Sequence, residues 1–156
     1  LSRRRLQDDC ERRALSNVLF LPFQDESVVP HLLAAADVGI VALAADGEGV
    51  SMPSKTYFTM AAGSAVMGLC RQGSDVDRVI TAHECGVTVP PGDVDRAVLA
   101  LLDWSDHPDR LATVRANARR AAERLYSRAV CVPRLMQIVS GVYSPSRRAR
   151  SAVELT

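Results

Sequence analysis

Lys55 is the sole lysine in a chain whose other strong bases are all arginine. It stands in Asp46–Gly63, DGEGVSMPSKTYFTMAAG. There a glycine-bearing loop with Glu48 runs into Ser51, Ser54 and Lys55, and an apolar-periodic helix follows and stops at Gly63. Such a loop brings backbone N–H groups, hydroxyls and one point charge to a helix N-terminus. That arrangement suits an anion, above all a phosphate. Gly47, Gly49 and Val50 supply candidate amides. Ser51 and Ser54 can also serve as helix caps, and capping is compatible with ligand binding at the same place. Ser74 and Asp75 are a second pair of candidates, with a cap as the plainer role. No Ser or Cys has a His and an acid arranged around it by any local motif, so no nucleophile emerges.

The elements that must hold these residues read as alternating strands and helices. Residues 3–15 favour a helix, with Leu6, Cys10 and Leu15 on one face. Val18–Phe23 is a short apolar run with strand propensity, and residues 26–36 carry a helical apolar period. Val38–Leu43, Ala65–Cys70 and Val87–Val89 are further strand candidates. Helices are expected over 54–62, 75–84, Asp93–Leu102, His107–Tyr126 and 128–142, with Asp93 as a cap and Pro133 as a kink. This order implies parallel βαβ units, an α/β fold with a partial Rossmann-like sheet flanked by helices. The strands are nearly continuous apolar runs, as in a sheet covered on both faces. Ligands of such sheets sit beyond the carboxyl ends of the strands, where the 43–54, 70–75 and 89–93 connections converge.

Bulk properties narrow the classes. The 156 residues suit one domain, expected over 1–143 with a disordered polar tail at 144–156. A net charge of +1 and 4% aromatic residues argue against a nucleic-acid partner. No apolar run approaches the roughly 20 residues needed to span a bilayer. The N-terminal LSRRRLQDDCERR lacks the apolar core of a secretory signal. A cytoplasmic place is expected, with peripheral membrane contact open because Arg3–Arg5 and Arg147–Arg150 flank the globule. The four cysteines and three histidines are scattered, so reduced thiols and no metal site are expected. Leu1 in place of methionine suggests a processed, trimmed or excised chain.

Four stretches, in order, resemble the carboxyl-terminal, nucleotide-sugar-binding domain of GT-B glycosyltransferases of retaining family 4. Asn17–Phe23 looks like the strand and turn that meet the nucleotide base, with Phe23 at the donor. Leu32–Val38 looks like the junction before the donor site, and Glu48–Lys55 with Met60–Gly63 looks like the donor loop and its helix. Cys85–Asp93 looks like the strand and turn that follow. The resemblance covers about residues 5–142. It implies transfer of a sugar from a nucleotide-diphosphate donor to an acceptor hydroxyl with retention. It also implies no metal or other cofactor, because helix dipole, amides and basic groups hold the diphosphate. Glu48 and Lys55 take the catalytic positions, Glu48 facing sugar hydroxyls and Lys55 the phosphates. Gly47, Gly49, Val50, Ser51, Ser54, Ser74 and Asp75 line the donor.

Three departures qualify it. Phe58 stands where the family has a ribose-binding glutamate, and phenylalanine accepts no hydrogen bonds. Ser64-Ala65 replaces a proline-bearing position. The family's first two strands, which lie between the counterparts of 18–23 and 38–43, are missing, with the basic pair before them and the acceptor domain. The chain is therefore expected to be a fragment or half of a split protein, inactive alone. A different class remains open: a non-catalytic nucleotide- or partner-binding module completed by another chain. A flavodoxin-like receiver domain is disfavoured, since no paired acids end Val18–Phe23.

Overall fold

The computed structural model describes residues 2–43 and 52–142. The tail expected over 144–156 lies outside the described residues. The chain divides into two units, Leu1–Leu32 and Leu33–Thr156.

In the first unit, helix α1 (Arg3–Arg12) is capped by Ser2, whose hydroxyl accepts from the Arg5 amide at 3.4 Å. Arg3 reaches back to donate to the Phe20 carbonyl at 3.0 Å. The expected strand at 18–23 does not form: the segment has no regular secondary structure and joins no ladder. A strand exists by pairing. No strand among the described residues pairs with this segment. A helix expected over 26–36 is reduced to α2 (Val29–Ala34). Asp25 takes the preceding residues into a turn, its carboxylate accepting from the Ser27 amide at 2.9 Å and the Ser27 hydroxyl at 2.6 Å.

The second unit is built on three parallel strands, β1 (Val38–Ala42), β2 (Ala65–Leu69) and β3 (Gly86–Val89), in the order β1-β2-β3. Val38 pairs with Ala65 and Val66 with Gly86. Helix α3 (Ser54–Ala62) joins β1 to β2, and α4 (Asp75–His83) joins β2 to β3. Helices α5 (Val94–Asp106), α6 (Pro108–Ala121) and α7 (Arg128–Val142) follow, with a π-helical turn at Ala122–Tyr126 before α7. The fold is thus the expected α/β arrangement, a Rossmann-like parallel sheet flanked by helices.

The two-residue period of a strand sends neighbours to opposite faces. Val41, Val66 and Cys70 pack with Met60, Val76 and Ile80 on one side. Ala65, Met67 and Val89 pack with Trp104 on the other. Helix α6 serves both clusters, Leu111 and Val114 in one and Ala118 and Ala121 in the other. Close approach requires glycine at the contacts. A Cβ on Gly39 would lie 2.5 Å from Thr59 Cγ2, and one on Gly68 would lie 2.8 Å from Ile80 Cδ1. At Gly86 it would meet the Val66 carbonyl oxygen at 1.8 Å.

The amino-terminal rim is stapled. Arg115 donates to the Gly63 carbonyl at 2.9 Å and to Asp37 at 2.5 Å, and Arg119 donates to the Ala61 carbonyl. Ser64, buried, donates to the carbonyls of Leu33 at 3.1 Å and Ala36 at 2.8 Å. Gly63 ends α3 in the left-handed region at φ 75°, which is easy for glycine.

The expected single helix over His107–Tyr126 becomes α6 plus the π-helical turn. That turn carries Tyr126 to His83, with its hydroxyl 2.8 Å from Nε2, and onto the Tyr57 ring at a centroid distance of 4.7 Å. Burial raises the phenol of Tyr126 first, with Tyr57, Cys85 and Cys131 adding to it. Cys85 is buried, and burial pushes its thiol up to about 11.

Two outcomes follow from this packing. Gly86→Ala should lower the unfolding free energy by about 3 kcal/mol or more in urea titration, because backbone cannot yield as a side-chain end does. Gly141→Ala, with nothing within 4 Å, should be neutral or stabilising; equal losses at both positions would contradict the close approach. Stability should also fall at high pH. Cys85, Tyr57 and Tyr126 all hold their protons longer folded than unfolded. Their contribution is complete below the ordinary values of 9.0 and 10.0 and is lost as pH rises through the folded values. The urea midpoint should therefore hold steady to about pH 8.5 and drop from there to about pH 11. A midpoint that stays level throughout that range would remove the burial argument for Cys85.

Candidate functional site

Because the strands are parallel, their carboxyl ends share one rim, and α3, α4 and α5 begin there. Two of these helices are capped by side chains. Ser74 accepts from the Asp77 amide at 3.3 Å, and Asp77 accepts in turn from the Gly73 amide at 2.7 Å. Asp93 accepts from the Arg96 amide at 3.1 Å, as its position after the Pro-Pro-Gly turn leads one to expect.

Helix α3 differs. Its cap position is Pro53, which has no side-chain acceptor and makes no capping bond. Ser54 is the first helical residue and does not cap. The first N–H groups of a helix have no partner within it, and they concentrate positive partial charge. At α3 no side chain offsets that charge from the cap position. Lys55, the next residue, is exposed and forms no ion pair among the described residues. An uncapped helix start with a free ammonium group can hold an anion.

The structure brings four of the sequence-read residues to this rim: Ser54 and Lys55 on α3, Ser74 and Asp75 on α4 or at its cap. Asp75 is exposed and 3.4 Å from Arg78. Its carboxylate still acts across to α3, where the phenol of Tyr57 is raised by burial first and then by Asp75 and Cys131. Phe23 belongs to the first unit, with its ring wholly exposed. Gly47, Glu48, Gly49, Val50 and Ser51 lie outside the described residues. Phe58 projects from α3 with 59% exposure, so it is not spent on the core.

Sequence reasoning missed the Tyr57–Tyr126–His83 cluster. A π-helical turn leaves no mark in a 3.6-residue period, so nothing local announced that Tyr126 would meet His83. Reasoning from types also missed the hydroxyl of Thr56, on the first turn of α3. It is fully buried and has no hydrogen-bond partner among the described residues.

Three clefts among the described residues are not lined by Lys55. One of about 560 Å³ runs along β3, between Asp77, Thr81 and Glu84 on one wall and Arg96 and Val114 on the other. Another of about 380 Å³ sits between the end of α4 and α6, and one of about 340 Å³ lies in the first unit. None of the described helices is long and apolar enough to cross a membrane.

No family model matches the sequence. The chain is similar to a curated protein of Pseudomonas aeruginosa named "Probable glycosyltransferase WbjE", with 29% identity over 142 residues. The match takes in 91% of this chain and 34% of that protein. The chain thus spans about a third of the length of the curated relative it matches.

Proposed function

We propose that this chain is the donor-binding half of a retaining, family 4 glycosyltransferase of the GT-B type, serving polysaccharide or glycolipid assembly. The observation that carries the reading is the similarity to a glycosyltransferase-named protein along 91% of the chain. The uncapped start of α3, with Lys55 beside it, supplies the chemistry that such a role needs.

The departing group in sugar transfer from a nucleotide donor is a diphosphate, and its negative charge grows as the glycosidic bond breaks. Fixed donors aimed at that charge lower the barrier most. In this reading the first amides of α3 and the Lys55 ammonium take the diphosphate. The Ser54 hydroxyl, Ser51 and the amides around Gly49 add hydrogen bonds, and Glu48 faces the sugar hydroxyls. Gly47 and Val50 let the loop backbone approach. Ser74 and Asp75 contact the donor from the start of α4, and Phe23 meets the base. No metal is needed, since the helix end and Lys55 do that work. Phe58 leaves the ribose without a carboxylate, so the ribose is held by other groups. The acceptor site belongs to a region outside this chain, and the isolated chain has no transferase activity.

The test is thermal. A nucleoside diphosphate at about a hundredfold its dissociation constant adds about 2.7 kcal/mol of stability. For a domain of this size that should raise the melting temperature by roughly 5–10 °C. Lys55→Ala should abolish most of the rise. If UDP, GDP and ADP all leave the transition unmoved, or the variant shifts as much as the parent, the diphosphate role is lost. Turnover by the isolated chain on any donor and acceptor panel would refute the half-enzyme reading.

One observation favours a second reading, a non-catalytic module completed by another chain. Strand β1 ends the sheet, and Ile40 on it is 46% exposed. That reading expects stabilisation only when the missing strands are added as a separate segment, with diphosphates inert.

A further inference from the structure

Strand β3 (Gly86–Val89) is an edge of the sheet, and part of its backbone faces away from β2. In a parallel ladder alternate residues of a strand bond to one neighbour. The Val66 amide donates to the Cys85 carbonyl at 2.9 Å, and the Cys70 amide donates to the Val89 carbonyl at 3.1 Å. That phase commits Cys85, Val87 and Val89 to β2 and turns the N–H and C=O groups of Gly86 and Thr88 outward. Natural edges are commonly guarded by a charged residue, a proline or a bulge. The strand Gly-Val-Thr-Val has no charge and no proline, and its register with β2 runs without a break.

This edge is also walled. The cleft of about 560 Å³ is lined by Gly86 and Thr88 of β3, with Asp77, Thr81 and Glu84 of α4 and its cap on one side and Arg96 and Val114 on the other. Among the described residues, neither Glu84 nor Arg96 forms an ion pair. The Thr88 hydroxyl is buried and has no hydrogen-bond partner among the described residues.

Charge selects the occupant. Helix α4 starts at the carboxyl ends of the strands and runs back toward their amino ends, so Asp77 and Glu84 mark the two ends of its wall. A strand laid along β3 sends alternate side chains to the two walls. It fits with bases toward α4 and, on the other side, an aliphatic residue toward Val114 and an acid toward Arg96. A second copy of this chain fits worse. Pairing β3 with its own two-fold image leaves each wall on the same face of the joined sheet. The acids of α4 would then meet acids, and Arg96 would meet an arginine.

We propose that β3 takes up an extended segment of a partner protein as an added strand, basic on the side of α4 and acidic toward Arg96. Main-chain bonds to Gly86 and Thr88 hold it, and the two walls select its side chains. The edge concerned is the one opposite β1, and the proposal stands independently of the transferase reading.

Nuclear magnetic resonance of the isotope-labelled full chain tests it, with the end-blocked peptide Lys-Val-Thr-Glu-Lys-Val as probe. Without peptide, the Gly86 and Thr88 amides should exchange with solvent at least about tenfold faster than those of Val87 and Val89, which β2 holds. With peptide at saturation, exchange at Gly86 and Thr88 should slow by about tenfold or more. The charge-reversed peptide Glu-Val-Thr-Lys-Glu-Val should bind at least about tenfold more weakly. Thr88→Pro removes an N–H that β2 does not use, and should abolish the response with the sheet intact. Arg96→Glu, a variant that leaves β3 untouched should the proline fail to fold, should weaken binding about tenfold, and lysine in place of the peptide's glutamate should restore it. No response at Gly86 and Thr88, or a response that survives the variants, overturns the proposal. So does slow exchange at both amides before peptide is added; if dilution then speeds it, a second copy holds the edge.

Discussion

Gly39 and Gly68 leave the sheet surface open where Thr59, Val76 and Ile80 press on it, and the seating of both crossover helices depends on that. A methyl group at Gly39 would press on the short, branched Thr59 side chain, and one at Gly68 would displace the end of the Ile80 side chain. With the glycines in place, α3 and α4 lie close to the strands they follow and precede. Their N-termini therefore come to the rim where the parallel strands end. The geometry of the candidate site is thus a consequence of two absent side chains in the middle of the sheet, well away from any candidate ligand group.

The opposite rim works by polar contacts instead. Arg115 and Arg119 reach from α6 to the carbonyls that end α3, and Ser64 satisfies two carbonyls before β1. The Gly63 and Ala61 carbonyls sit at the end of α3, where a helix leaves carbonyls without partners of its own. Guanidinium donors on α6 and the Ser64 hydroxyl together tie this end of the sheet to its flanking elements. Among the described residues, the other end has one helix start without a side-chain cap, that of α3.

Much of this was legible in the sequence, for a physical reason. The strands β1, β2 and β3 are short unbroken apolar runs, and α3, α4 and α5 carry apolar periods bounded by glycine or a capping residue. Such features are local, so the residues themselves announce them. Val18–Phe23 misled because a strand is a collective object: an apolar run with no neighbour to bond stays a strand only in propensity. The π-helical turn was hidden because tertiary contacts of Tyr126, not local period, hold it. At the candidate site, Ser54 was legible as part of a helix start but not as a residue past the cap, since Pro53 occupies a place where Ser, Thr or Asp is usual. Of the candidate site residues, Gly47, Glu48, Gly49, Val50 and Ser51 lie outside the described residues, and their role rests on sequence pattern.

Pro53 has a further implication. A serine or aspartate there would strengthen α3 by about 1 kcal/mol. It would also fill, from within the chain, the electrostatic demand that a bound anion meets from outside. A protein selected only to stay folded has reason to accept that replacement; one selected to capture an anion at this spot has reason to refuse it. Tolerance of Pro53 is in this sense a small reserve of unused robustness, held where recognition would need it.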